Sequence, residues 1–288
     1  MSGQPRGTVA VVGAGPVGGA TAYTLVTKHG VREIRLIDSM ERVAAGTALD
    51  IQQAGPIERS DVVITAHKDL HAVVGAAVIL WADPLDGFAA GHSDHDDLDT
   101  LRRLATLNPN AVIVCLGASD HQLIERAVSR DAVSRKRLIG SAPLAFTAAL
   151  RAVVALEIRC SPQDVALSVL GVPPSGLVVP WSAASARGVS LSELLAPRRF
   201  ALLKQKMERL WPPEPYTLAA AAAHLSQTLL LGFVERACPS FVMLDGELGV
   251  RQRAAAVNIT LSGRGVERVL EPSLTPQERV QLARALLP

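Results

Sequence analysis

The 288-residue chain predicts an α/β protein, a doubly wound parallel sheet followed by an α+β domain, and three observations carry that reading. Over the first 140 residues short β-branched runs alternate with helical periodicity, the rhythm of βαβ units and so of a parallel sheet. A glycine-rich turn, Gly13-Ala14-Gly15-Pro16-Val17-Gly18, stands between the first apolar run and the first helical pattern. Beyond Gly140 the alternation stops, and long helices and paired strands take over. With 49% apolar residues and a mean hydropathy of +0.26, core material is ample.

The elements follow in order. Thr8 to Val12 is the first strand, a helix opens at Pro16, and a second strand ends at Asp38. A helix is expected from Arg42 to Gln53, strands at Asp61 to Ala66, Ala77 to Trp81 and Ala111 to Leu116, a helix at Leu98 to Thr106, and a short strand at Arg137 to Gly140. Pro143 opens a long helix to about Ile158, and Val165 to Leu170 with Leu177 to Val179 read as a hairpin pair. Two long helices, Leu191 to Leu210 and Tyr216 to Glu235, precede strands around Ser240 to Leu244, Ala255 to Leu261 and Val266 to Leu270 and a helix from Pro276. Two domains are expected, 1–140 and 141–288.

Charge and composition exclude several classes. Lys plus Arg number 29 against 27 Asp plus Glu, so the net charge of +2 leaves no electrostatic footprint for nucleic acid, and 3% aromatics supply no stacking platform. The longest apolar runs fall short of the roughly 18 to 20 residues of a membrane span, and Met1 to Gly7 lacks a signal-peptide core. A cytoplasmic protein is expected. Cys115, Cys160 and Cys238, odd in number and set in apolar context, read as buried inert thiols.

The glycine turn is the one stretch that names a ligand by mechanism. It follows a strand, opens a helix and has Asp38 about twenty residues beyond Gly18, the context in which GxGxxG cradles a dinucleotide. Gly13 permits the tight turn, Gly15 the approach of a pyrophosphate and Gly18 the packing of helix on strand. Pro16 and Val17 open the helix, whose N-terminus carries free N–H groups and partial positive charge. Asp38 suits a ribose diol and repels a 2′-phosphate, which favours NAD over NADP.

Further segments give this frame a family likeness: LIDS at Leu36, GTALDIQQ at Gly46, NPNAVIV at Asn108, LIGS at Leu138, Ser161-Pro162-Gln163-Asp164-Val165, Val179-Pro180-Trp181-Ser182, LDGELG at Leu244 and SGRGVERVLEPSLTPQE at Ser262. In order and spacing the chain resembles the lactate/malate dehydrogenase family over nearly its whole length. The resemblance implies a Rossmann-type cofactor domain, a C-terminal α+β domain of that family's type, NAD and a homo-oligomer, dimer or tetramer.

It also exposes what this chain lacks. Where the family has the Asn that holds nicotinamide and substrate oxygen, this chain has Ala118; at the Asp that orients the catalytic His stands Phe146. Ala149 replaces the Arg that grips the substrate carboxylate, and Pro173 the His that exchanges a proton with the substrate oxygen. The segment from Ala82 to Leu98 contains no Arg, with Asp94 or His95 where the family's carbonyl-polarising Arg would fall, and the helix that follows is shortened. Asp83 replaces a glycine beside the dinucleotide. A carboxylate some 5 Å from a pyrophosphate costs on the order of 3 kcal/mol at an effective dielectric near 20.

Hydride exchange with a 2-keto acid needs a proton donor, a carboxylate clamp and a carbonyl polariser, and none is present. The expectation is a family member with a degenerate substrate site, NAD-binding and not acting on lactate or malate. Two alternatives stand beside it: an NAD-dependent oxidoreductase of a more apolar substrate, with His95, His121 or Asp120 recruited as acid, and a non-catalytic structural or interaction subunit. His121 on its own reads as a surface residue capping a helix, Arg151 as a subunit contact and Pro173-Pro174 as a rigid turn between strands. His92-Ser93-Asp94-His95-Asp96-Asp97 has the spacing of a metal site, but a cap at Ser93 or Asp94 and acids complementing the helix dipole account for it, so no metal is assigned.

Overall fold

The computed structural model describes residues 7–82, 94–232 and 237–287, with the backbone alone for 94–96. Its first half comprises β1 (Gly7–Val12), α1 (Pro16–Val26), β2 (Val31–Ile37), α2 (Glu41–Glu58), β3 (Val63–His67), β4 (Val78–Trp81), α3 (Asp94–Leu107), β5 (Val112–Cys115), α4 (Asp120–Ser129) and β6 (Leu138–Gly140). The six strands run parallel in the order β3-β2-β1-β4-β5-β6. Helices cover both faces, which is why β4 and β5 are unbroken apolar runs buried along their length. The order reverses between β1 and β4, and a crevice opens there beyond the strands' C-terminal ends.

The second half comprises α5 (Ala142–Ile158), β7 (Val165–Ala166), β8 (Leu170–Val172), β9 (Gly176–Val178), β10 (Ser185–Ala186), β11 (Val189–Ser190), α6 (Leu191–Leu194), α7 (Pro197–Glu208), α8 (Pro215–Leu231), β12 (Cys238–Asp245), β13 (Arg251–Ser262), β14 (Gly265–Leu270) and α9 (Pro276–Leu286). β12 joins the sheet antiparallel to β6, with Phe241 opposite Gly140, and the sheet continues through β13, β8 and β9, with β14 also on β13. Thus a mixed sheet carries the cofactor crevice and the start of the second half on one surface. β7, β10 and β11 form a separate small sheet beneath α5. Among the described residues no helix is long and apolar enough to cross a membrane.

Several expected boundaries shift, each for a local reason. The expected strand Val165 to Leu170 is two: Val165 and Ala166 pair with β10, while Leu170–Val172 turns through Pro173-Pro174 into β9, the rigid turn anticipated there. The expected helix Leu191 to Leu210 breaks before Pro197, which lacks an N–H for the turn behind it and instead opens α7. α8 stops at Leu231 because Gly232, at φ +67, caps it. α2 passes the expected end at Gln53 and ends where Arg59 turns left-handed, φ +54. α3 already includes Asp94, so Asp94 is a helical residue and not the cap; Ser93 lies outside the described residues. Cys115 and Cys238 are buried as expected, but Cys160 is half-exposed, its Sγ 3.4 Å from the Ser161 carbonyl.

Candidate functional site

At the crevice, Gly13 takes φ +103, where an L side chain is strained. A Cβ on Gly18 would lie 1.9 Å from the Gly13 carbonyl oxygen, so α1 can approach β1 only with glycine there. Gly15, at φ −67, is the N-cap of α1, and Pro16 takes the first helical position, where a missing N–H costs nothing. The first intrahelical bond is Gly19 N–H to Gly15 O at 2.8 Å, so the N–H groups of Val17 and Gly18 sit at the positive end of the helix. Asp38, 2% exposed, reaches back from the end of β2: its Oδ2 accepts the Ala14 N–H at 2.7 Å and its Oδ1 the Met40 N–H at 2.9 Å. One carboxylate therefore fixes the turn and faces the crevice together.

A cavity of about 570 Å³ opens beside Asp38 and Ser39, within the range of small-molecule sites. Val12, Ile37, Leu70 and Trp81 give it apolar walls fit for a flat base, while Asp38 and Ser39 offer hydrogen-bonding groups fit for a sugar diol. Lys68 and Arg103 add positive charge, with Asp69 beside them as a second carboxylate. The residues fit an adenine dinucleotide. Asp83 lies outside the described residues, as does His92; His95 falls in the first turn of α3 with its side chain outside the described set. Among the described residues no three His, Cys, Asp or Glu gather as a metal site would require.

The positions at which the resemblance places substrate contacts lie further along the sheet. Ala118 sits in the turn after β5, where the Asp120 carboxylate accepts the Gly117 N–H at 2.6 Å. Phe146, 1% exposed, packs edge-on to Trp211 with centroids 5.6 Å apart; Trp211 lies 6.2 Å from Phe241, and Phe241 5.4 Å from His121. A row of rings thus runs from α4 across β12 to α5. His121 is not the surface cap expected of it: it is 7% exposed, and its Nδ1 is buried without a hydrogen-bond partner. Burial first, then the Arg253 guanidinium, lowers its pKa, Glu125 opposing them only in part, so the imidazole is neutral at neutral pH. Ala149 is half-buried on α5, and Pro173 is buried in the β8–β9 turn. Arg151 hydrogen-bonds the carbonyls of Pro162 (3.1 Å) and Gln163 (3.4 Å), which ties the middle of α5 to the segment after its end. Trp211 and Phe241 had no sequence motif to mark them; the scarcity of aromatics was the only signal, since few rings remain to be shared out over the chain.

Residues 8–83 match the NAD-binding domain of lactate/malate dehydrogenases. Malate dehydrogenase of Thermomicrobium roseum is 27% identical over 97% of this chain and 95% of its own length, and that of Desulforudis audaxviator 28% identical over 98% and 96%. Residues 8–83 thus carry the NAD-binding domain of the lactate/malate dehydrogenases, and along nearly its whole length the chain is similar to malate dehydrogenases. Solved structures agree in fold: malate dehydrogenase from Salinibacter ruber has a TM-score of 0.88 at 22% identity, covering 96% of this chain and 93% of that one. Lactate dehydrogenase from Cryptosporidium parvum, solved with lactic acid and the dinucleotide, has a TM-score of 0.87 at 22% identity, covering 97% and 94%. The α/β fold with its parallel cofactor sheet is that of the lactate/malate dehydrogenases, and the domain at Thr8 to Ala82 is of their NAD-binding type. NAD is the cofactor that this family assignment carries.

Proposed function

We propose that this lactate/malate dehydrogenase family member binds NAD through Gly13, Gly15, Pro16, Val17, Gly18 and Asp38 but does not exchange hydride with lactate or malate. The observation that carries the reading is the row of rings at the substrate positions: Phe146 packs edge-on to Trp211, and Trp211 edge-on to Phe241, with Ala149 offering no guanidinium and Pro173 no proton. A 2-keto acid would find neither a partner for its carboxylate nor a donor for its developing alkoxide. The two domains of this reading, 1–140 and 141–288, then differ in what they keep, the first the cofactor turn and the second its packing, with Ala118 the one altered substrate position in the first. Leu49 and Ile57, exposed on α2, support a homo-oligomer that light scattering would count. Titration of the pure protein with NADH, followed by fluorescence, and an absorbance assay with pyruvate and oxaloacetate test the reading together; saturable binding without oxidation of NADH is expected.

A second reading has one observation in its favour. His121 keeps an unpartnered ring nitrogen at the end of the ring row, the feature an acid for an apolar ketone would need. NADH consumption with simple ketones, lost in H121Q, would establish it.

A further inference from the structure

We infer that the chain carries a second ligand site, for a small organic anion bearing two negative charges, in the cavity between the β8–β9 hairpin, α7 and α9. The cavity measures about 660 Å³ and shares with the substrate positions only Pro173; Ala118, Phe146 and Ala149 do not line it. Three cations converge on it from three separate elements, Lys204 of α7, Arg253 of β13 and Arg284 of α9, against a single lining carboxylate, Glu208. Arg253 is only loosely answered by Glu125, which lies outside the lining. The closest approach of that ion pair, Nη1 to Oε1, is 3.6 Å, and the other carboxylate oxygen already accepts the Ala254 N–H at 2.9 Å. The Nε of Arg253 is buried with no hydrogen-bond partner. Among the described residues, even with Glu125 counted, the cavity holds an excess of positive charge, and Lys204 and Arg284 have no carboxylate within ion-pairing distance.

The rest of the lining sets the kind of anion. Gln281, one turn before Arg284 on the same face of α9, and Ser175 in the hairpin turn offer neutral polar groups beside the cations. Leu177, Val179, Met207 and Trp181 add apolar lining, so a hydrocarbon portion of a few carbons is accommodated as well as the charges. A dicarboxylate and a phosphate monoester share this chemistry. A simple inorganic ion would leave the apolar lining unused.

The test is isothermal titration of the full chain with succinate and with glycerol 2-phosphate, glycerol serving as the neutral control. At least one anion should bind with submillimolar affinity, and a K204Q/R284Q double variant should weaken that binding roughly 10- to 100-fold for each charge-assisted hydrogen bond it removes. Both side chains are exposed, so the variant keeps the parent's circular dichroism and melting profile. NADH titration of the same variant should be unchanged, which separates this site from the cofactor crevice. Binding of only one anion assigns the ligand's charged group. Absence of binding by either at about 10 mM, or a double variant that binds like the parent, overturns the site.

Discussion

Single residues account for both ends of the molecule. Gly18 is held to glycine by backbone, since the atoms a Cβ would meet are the Gly13 carbonyl oxygen at 1.9 Å and its carbon at 2.9 Å. G18A should therefore displace α1 from β1, costing about 1–3 kcal/mol by urea denaturation and weakening NADH binding at least tenfold by fluorescence titration. Glu278 holds the other end. Burial alone would raise its pKa, but N–H and hydroxyl donors of Ser182 (3.0 and 2.7 Å) and Thr275 (3.0 and 2.9 Å) outweigh it and bring the pKa from 4.5 to about 2. A carboxyl depressed by folding adds stability above its unfolded pKa and loses it as pH falls through the folded one. E278Q should thus lower stability at pH 7 by up to about 3 kcal/mol, and its deficit against the parent should shrink between pH 4.5 and pH 2, as thermal melts across that range would record.

Elements decide how much of the molecule the sequence discloses. The glycine turn was legible because its requirements are local: one strand, one turn and one helix contain every residue that matters. β4 and β5 were legible for a related reason, an apolar run buried on both faces needing no knowledge of its neighbours. The ring row was not legible. Phe146, Trp211 and Phe241 lie on α5, on the connection between α7 and α8, and on β12, and only the return of β12 to pair with β6 brings them together. The burial of His121 escapes a reading of its neighbours for the same reason, since the strand that covers it arrives from more than a hundred residues away. The division of Val165–Leu170 reflects the small sheet of β7, β10 and β11, whose two-residue strands carry too little pattern to declare themselves. Because the row is a packed core element, F146A should cost about 3–5 kcal/mol in urea denaturation, whereas F146L, which fills most of the volume, should cost less than about 1.5 kcal/mol. A Phe146 that instead tolerated truncation would belong to an open cleft.

At the scale of the whole molecule, one sheet runs from β3, beside the cofactor crevice, to β9, and on our proposal the positions along it that would meet a substrate no longer carry the family's substrate chemistry. The turn at Gly13 and the clasp of Asp38 persist as a working unit: the carboxylate both fixes the Ala14 N–H and lines the cavity. The substrate positions, on the same proposal, persist only as places in the fold, occupied by Ala118, Phe146, Ala149 and Pro173. These two halves make opposite predictions for one sample. Stopped-flow mixing of the protein at about 50 μM with NADH and then with oxaloacetate or pyruvate, recording fluorescence and absorbance together, tests both. A saturable fluorescence change on adding NADH, with no loss of nicotinamide absorbance after the keto acid, is the result expected of a cofactor site without a substrate site. Oxidation of even one equivalent of NADH per chain would contradict it.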